Sequence, residues 1–260
     1  MKEKYRSSEI TIGKLAMGGG NPIRVQSMLN TDTNDTQACV EQAIRVIEAG
    51  GELVRLTAQG VREAENLKNI KAELTKRGYG ATPLVADLHF NPHAAEVAAQ
   101  YVEKVRINPG NFVPSIKKDF TDYTDEEFEQ ERLLLKEKFT HFLDICKQHN
   151  TAIRVGVNHG SLSERMMNRY GDTPLGMVGS CLEILRICRE ENFSKVVISL
   201  KSSNTVLMVQ AVRLLVEKMQ AEDFHFPLHL GVTEAGEGED GRLKSAIGIG
   251  ALLVDGIGDT

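Results

Sequence analysis

Seven short apolar runs recur along the chain: PIRVQSM (22–28), ELVRLT (52–57), PLVADL (83–88), KVRINP (104–109), AIRVGV (152–157), KVVISLK (195–201) and PLHLGV (227–232). Each leads into a polar loop and then into a longer stretch with helical periodicity. Short, nearly continuous apolar runs are the mark of strands buried on both faces, as in parallel sheets covered by helices. Helices are expected from Thr36 to about Ala49, from Val61 to Arg77, near Pro92 and Ala94, and from Thr124 to about Gln148. Further helices follow from Thr173-Pro174, from Asn204 to Met219, and from Arg242. Thr36 reads as the cap of the first, Thr124 with Glu127 as a capping box, and Pro174 as a first-turn proline.

Strand–helix units repeating in phase predict a parallel sheet with right-handed crossovers, and seven of them predict an α/β fold of the TIM (β/α)8 barrel type. The eighth strand is truncated or incomplete, begun only at Ile257–Thr260. Strands one and seven would then carry exposed edges prone to pairing. Ahead of the barrel, ITIGKLAM (10–17) reads as a small strand or hairpin that plugs its base. An open doubly wound sheet is the rival, but its dinucleotide version needs a glycine turn after the first strand. Here Gly18-Gly19-Gly20 precedes that strand.

Composition narrows the function classes. The 260 residues are 41% hydrophobic and 26% charged, with a formal net charge of −5, which gives no global reason to expect nucleic acid. No apolar run is long enough to span a membrane, and the start MKEKYRSSEITIG has no secretory core, so a cytoplasmic protein is expected. Cys39, Cys146, Cys181 and Cys188 are thinly spread and read as reduced, buried thiols.

Charge inside the strands changes the picture more. Arg55, Arg106, Arg154 and Lys201 lie near the carboxyl ends of four different strands. Burying each unpaired would cost several kcal/mol. Pairing with a carboxylate such as Asp87 accounts for one of them more readily than for four at equivalent places. An anionic ligand accounts for all four, guanidinium forks matching phosphate oxygens and the lysine acting as a point charge; two phosphates suit four cations better than one. Asn108 shares a strand face with Arg106, and Asn158 with Arg154, adding amides that donate and accept. Gln26, Met28 and Ser199 extend the same ring.

Other groupings point elsewhere. Asp87, His89 and His93 are spaced like metal ligands, but a mononuclear hydrolase site wants further histidines at later strand ends, and only His229 offers itself. The favoured reading is no metal. Lys201 as a Schiff-base lysine would need a neutral, desolvated amine. Glu234, just past the seventh strand and deeper-lying His229, is the candidate acid/base, with its pKa lowered by a cationic pocket. Glu237, Glu239 and Asp240 read as a solvated loop; the start of the helix from Arg242, with Lys244 and Ser245, offers a second phosphate contact.

The motifs VQSM-NTDT, VRLT, PLVADLHF, VRINPGN, IRVGVNHGSL, VISLKSSN and LHLGVTEAGEGEDGRLKSAIGIGALLVDGIGDT occur in this order. Together they closely resemble the 4-hydroxy-3-methylbut-2-enyl diphosphate synthase family, an iron–sulfur oxidoreductase family of the non-mevalonate route to isoprenoids. GDTPLGMVGS and TEAGEGEDGR resemble its large, three-domain form. The resemblance implies reductive ring opening and dehydration of 2-C-methyl-D-erythritol 2,4-cyclodiphosphate, with electrons from ferredoxin or flavodoxin. It implies that residues 1–260 are the substrate-binding barrel and that the middle and C-terminal [4Fe–4S] domains lie outside this chain, so that no cluster and no activity are expected of it alone. By resemblance Arg55, Arg106, Arg154 and Lys201 fall on diphosphate-binding cations, Asn158 on a polar pocket residue, and Glu234 on the glutamate facing the reacting carbons. The resemblance leaves the oligomeric state open.

Overall fold

The structure, a computed structural model, describes residues 5–88, 91–115 and 123–260. The chain enters through an antiparallel hairpin, β1 (Ile10–Ile12) and β2 (Leu15–Met17), paired Ile10 to Met17. Residues 10–17 are thus two strands rather than one, because Gly13 at φ +58° turns the chain where an L side chain would be strained. Ile10, Ile12 and Met17 pack with Leu53, Val85, Ala152 and Val197 in a separate apolar cluster. Those four partners are inward positions near the starts of barrel strands, so the hairpin does plug the base.

Six strands follow in one parallel sheet, in sequence order: β3 (Gln26–Met28), β4 (Leu53–Thr57), β5 (Leu84–Asp87), β6 (Lys104–Ile107), β7 (Ala152–Asn158) and β8 (Val196–Lys201). The long helices that follow these strands are α1 (Thr36–Glu48), α2 (Val61–Lys76), α4 (Asp125–His149), α6 (Pro174–Glu190) and α7 (Thr205–Ala221); α3 (Pro92–Ala98) and α5 (Glu164–Tyr170) are short. The Thr124–Glu127 capping box and the Thr173 cap ahead of Pro174 form as expected. At α1 the cap is Asp35, whose carboxylate accepts from Ala38 N, while the Thr36 hydroxyl donates to Asn66 Oδ1. A carboxylate at the cap also faces the positive end of the helix dipole, which the hydroxyl cannot match. α5 was not anticipated: it forms inside the loop after β7.

Beyond β8 the ring becomes irregular. Residues 227–230 run beside β8 with a single bridge, Ile198 to Leu228, rather than as the expected regular strand. Their amides still alternate partners: His229 N donates to Ile198 O at 2.8 Å, and Leu230 N donates the other way, to Thr260 O at 2.8 Å. Asp259 N donates to Leu228 O, and Arg24 N, just ahead of β3, donates to Asp259 O, both at 2.8 Å. The last residues therefore sit in the gap between 227–230 and β3, covering the edges expected to be bare. Asp259 also accepts from Leu228 N and from the Ser7 hydroxyl, at 2.8 and 2.6 Å. Between these segments lies α8 (Gly238–Val254). It starts a turn earlier than Arg242, so Glu239 and Asp240 form its first turn instead of a loop, where acidic side chains suit the dipole. Among the described residues no helix is long and apolar enough to cross a membrane.

Candidate anion-binding site in the barrel interior

A strand's side chains alternate faces, so the plug residues mark which positions look inward. Leu53, Val85, Ala152 and Val197 face the plug. Two residues further along the same faces come Arg55, Asp87, Arg154 and Ser199. Lys104 and Arg106 occupy the matching face of β6: Lys104 is paired in register with Val85 and Ala152, and Arg106 with Asp87 and Arg154. A barrel interior is ordinarily filled by layers of branched apolar residues. Here the layers above the plug are cationic.

Asp87, wholly buried, is the carboxylate they share. Its Oδ2 accepts from Arg55 Nη2, its Oδ1 from Arg106 Nη1 at 3.3 Å, and Arg154 Nη2 lies 3.9 Å from Oδ1. Arg106 Nη2 also donates to Gly156 O at 3.0 Å, and Arg154 Nη1 to the Ser199 hydroxyl at 3.0 Å. Lys104 Nζ reaches Gln26 Oε1 on β3 at 2.9 Å. Within this cluster Arg55 Nε, Arg154 Nε and His229 Nδ1 are buried with no hydrogen-bond partner among the described residues, as is Arg165 Nε outside it. Buried guanidinium N–H groups without acceptors are rare, and here two of them face the same interior as the other cations.

Burial first, then Arg55 and Arg106, push Arg154 far below the ordinary guanidinium value. A guanidinium does not give up its proton in a protein, so this depression measures electrostatic strain. Lys201 and Lys104 are driven down by burial and then by neighbouring arginines, Arg154 foremost. Burial and then Lys201 and Arg154 hold His229 far below its ordinary range, so it is a neutral ring. All of these shifts have the sign that an incoming anion would reverse.

Two glycines make the room. A Cβ on Gly156 would stand 2.4 Å from Arg106 Nε, and one on Gly231 would stand 2.9 Å from Lys201 Nζ. Each lets a cation lie flat against backbone where any other residue would displace it.

The remaining candidates fall outside this cluster or at its rim. Asn158 ends β7, in register with Lys201. The Asn108 side chain accepts from Gly110 N and donates to the Ser161 hydroxyl, tying the loops after β6 and β7 together. Glu234 is exposed beyond residues 227–230, at φ 52°, and makes no ion pair among the described residues. His93 sits exposed on α3 beside Glu96, while Asp87 is committed to the arginines; His89 lies outside the described residues. No group of three or more metal-ligating residues occurs among those described. The start of α8 has Glu237 at its cap and Glu239 and Asp240 in its first turn. All four cysteines are free and buried, and burial pushes the Cys146, Cys181 and Cys188 thiols up. Lys104 is the cation that sequence reasoning missed. Its signal was the period of two running down from Arg106.

The family model described as the GcpE TIM-barrel domain matches residues 7–260. The flavodoxin-dependent 4-hydroxy-3-methylbut-2-en-1-yl diphosphate synthases of Phocaeicola vulgatus and Parabacteroides distasonis are each 66% identical over 258 residues, 99% of this chain and 42% of theirs. The chain thus spans less than half the length of these relatives. In fold it is similar to 3-dehydroquinate dehydratase from Geobacillus kaustophilus (TM-score 0.57, 10% identity, covering 94% of this chain and 83% of that one). It is also similar to dihydropteroate synthase from Yersinia pestis (TM-score 0.55, 12% identity, 96% and 91%).

Proposed function

Because the chain belongs to the GcpE TIM-barrel domain family, we propose that it is the substrate-binding barrel of a 4-hydroxy-3-methylbut-2-enyl diphosphate synthase, receiving 2-C-methyl-D-erythritol 2,4-cyclodiphosphate for reductive ring opening and dehydration. The observation that carries this reading is the excess of buried cations over Asp87, the one carboxylate to which they are bonded among the described residues. Arg55, Arg106 and Arg154 hold the phosphates, replacing water with fixed donors, and Lys201 adds a point charge at the mouth. His229, a neutral ring under Lys201, serves as a hydrogen-bond partner for the bound ligand; Asn158 does the same from the rim, and Asn108 fixes the loop above.

Glu234 stands at the mouth as acceptor or base for the substrate's hydroxyl end. Its left-handed backbone, uncommon for a residue other than glycine, is the kind of strain kept at functional positions. The reductive chemistry belongs to a [4Fe–4S] cluster fed by ferredoxin or flavodoxin, held by residues outside these 260; nothing in this chain is assigned a step in it. Free, buried cysteines support a reducing compartment, the cytoplasm. The low proton affinity of Lys201 also meets the first need of a Schiff-base enzyme. Against that reading stand the guanidiniums around it, which suit phosphate.

Calorimetric binding of the cyclic diphosphate to the 260-residue chain and to Arg106→Ala tests the proposal. Wild-type binding weakened at least tenfold in the variant is expected, the loss of one charged hydrogen bond at about 1.5 kcal/mol. Absent affinity, or equal affinity in the variant, would overturn it.

A further inference from the structure

Lys104 is unlike the other cations of the interior. Its Cα is paired in register with Val85 and Ala152, both packed against the hairpin plug, so its stem starts in the hydrophobic layer. Its side chain is wholly buried, and its amine crosses the barrel to a single neutral acceptor, Gln26 Oε1 at 2.9 Å. An ammonium has three donors to satisfy.

The charges facing Lys104 come from every side of the ring. Arg55 on β4 and Arg154 on β7 oppose its protonation, as does burial, which is the largest influence. Asp87 on β5 is bonded to Arg55 and Arg106 and lies 3.9 Å from Arg154. Arg106 stands two residues above on the same strand. Lys201 and His229 complete the lining at β8 and residues 227–230, and the proton affinity of His229 is itself lowered by Lys104. No carboxylate is bonded to the Lys104 amine among the described residues. The plug below leaves the pocket mouth as the direction from which charge can arrive.

We propose that Lys104 is a fifth cation of the pocket, a free amine while the pocket is empty, and that binding of a diphosphate above it is coupled to uptake of one proton at its Nζ. The step is an acid–base equilibrium: the amine takes a proton from bulk water as the ligand enters, and releases it as the ligand leaves. The negative charge of two phosphates, added within the same enclosed space, reverses the field of the arginines and favours the ammonium. Lys104 then contributes binding charge without the cost of holding a buried ammonium in the empty state. It acts as a positioning residue, bearing on the ligand through Gln26 and the arginines above. The inference rests on the diphosphate site proposed above.

The test is isothermal titration calorimetry of the 260-residue chain with inorganic pyrophosphate at about pH 8, in two buffers of different ionisation enthalpy, which counts protons exchanged per anion bound. Pyrophosphate's own titration is common to all variants and cancels between them. Wild type is expected to take up about one proton more per bound anion than Lys104→Met, whose unbranched side chain fills the same space. Lys104→Gln is the second variant, each checked for folding by circular dichroism. Equal proton counts in wild type and variant would overturn the inference while leaving the anion site standing. So would an uptake that persists in Lys104→Met and vanishes in Lys201→Met. If wild type does not bind pyrophosphate, the site itself is refuted and the inference with it. Should neither Lys104 variant fold, wild type is compared with Lys201→Met: an uptake about one proton smaller in Lys201→Met would overturn the inference, and an unchanged uptake supports it.

Discussion

Arg106 and Arg154 are neighbours across the sheet: their Cα atoms pair in the register of β6 and β7, and both side chains are buried against the same Asp87. Like charges side by side at 2% and 1% exposure are tolerable only because a carboxylate lies beside them. Asp87→Asn keeps the shape and removes that charge. The variant is expected to lose about 3 kcal/mol of stability, the range for breaking a buried ion pair. Urea denaturation should show the fall, and saturating pyrophosphate should restore part of it by supplying the missing negative charge. An unchanged midpoint would mean that Asp87 is not the counterion of the pair.

Gly156→Ala separates the pocket from the fold. Its new methyl group would stand 2.4 Å from Arg106 Nε, displacing the guanidinium from the carbonyl of residue 156. Pyrophosphate affinity should fall about tenfold, one charged hydrogen bond's worth, while the circular dichroism spectrum stays that of wild type. Equal affinity would show that Arg106 does not need this approach to the backbone.

Stability of the empty chain should depend on pH with a definite sign. A base whose proton affinity is lowered on folding binds fewer protons in the folded chain than in the unfolded one, so stability rises with pH between the two values. For His229 that window lies below its ordinary 6.5, and for Lys104 and Lys201 below 10.5. The buried thiols Cys146, Cys181 and Cys188 act in the opposite sense, once their unfolded counterparts ionise near 9.0. Urea midpoints should therefore climb from about pH 6 to about pH 9, and the climb should be shallower in Lys104→Met. A flat or falling wild-type profile would contradict the buried-base reading.

Asp259→Ala should open the seam. It removes acceptors for Leu228 N and the Ser7 hydroxyl while leaving the Asp259 carbonyl bonded to Arg24 N. A loss of about 1–3 kcal/mol is expected, with one buried amide left unsatisfied. Hydrogen exchange at Leu228 should quicken well beyond exchange in β6 or β7; uniform protection would place the stability of the seam elsewhere.

The barrel was legible because strands buried on both faces cannot hide their composition, and because capping residues such as Thr124 and Thr173 announce helix starts locally. The cation ring was legible for the complementary reason: arginine inside an apolar run is out of place unless something answers it. What escaped depends on distant partners. PLHLGV has the composition of a strand, yet its amides divide between Ile198 and Thr260, a division no local pattern encodes. Lys104 begins its apolar run, where lysine usually marks a solvated strand end; its spacing of two from Arg106 was the local sign of an interior position, and the hairpin plug beneath makes it a buried one. The early start of α8 was hidden by glycines, which read as loop although three carboxylates there suit a helix N-terminus.

The tie between Ser7 and Asp259 joins positions 252 residues apart. During synthesis, the strands from β3 to β8 emerge from the ribosome long before Asp259 does. Until then Arg24 N and Leu228 N lack their native acceptors, and the nascent sheet keeps two unsatisfied edges. Ring closure is thus a late event that waits on both ends of the fold. For a chain emerging at about 5–20 residues per second, that leaves an interval of about 3–12 seconds after β8 is made, in which a chaperone or a premature partner can reach the unfinished seam.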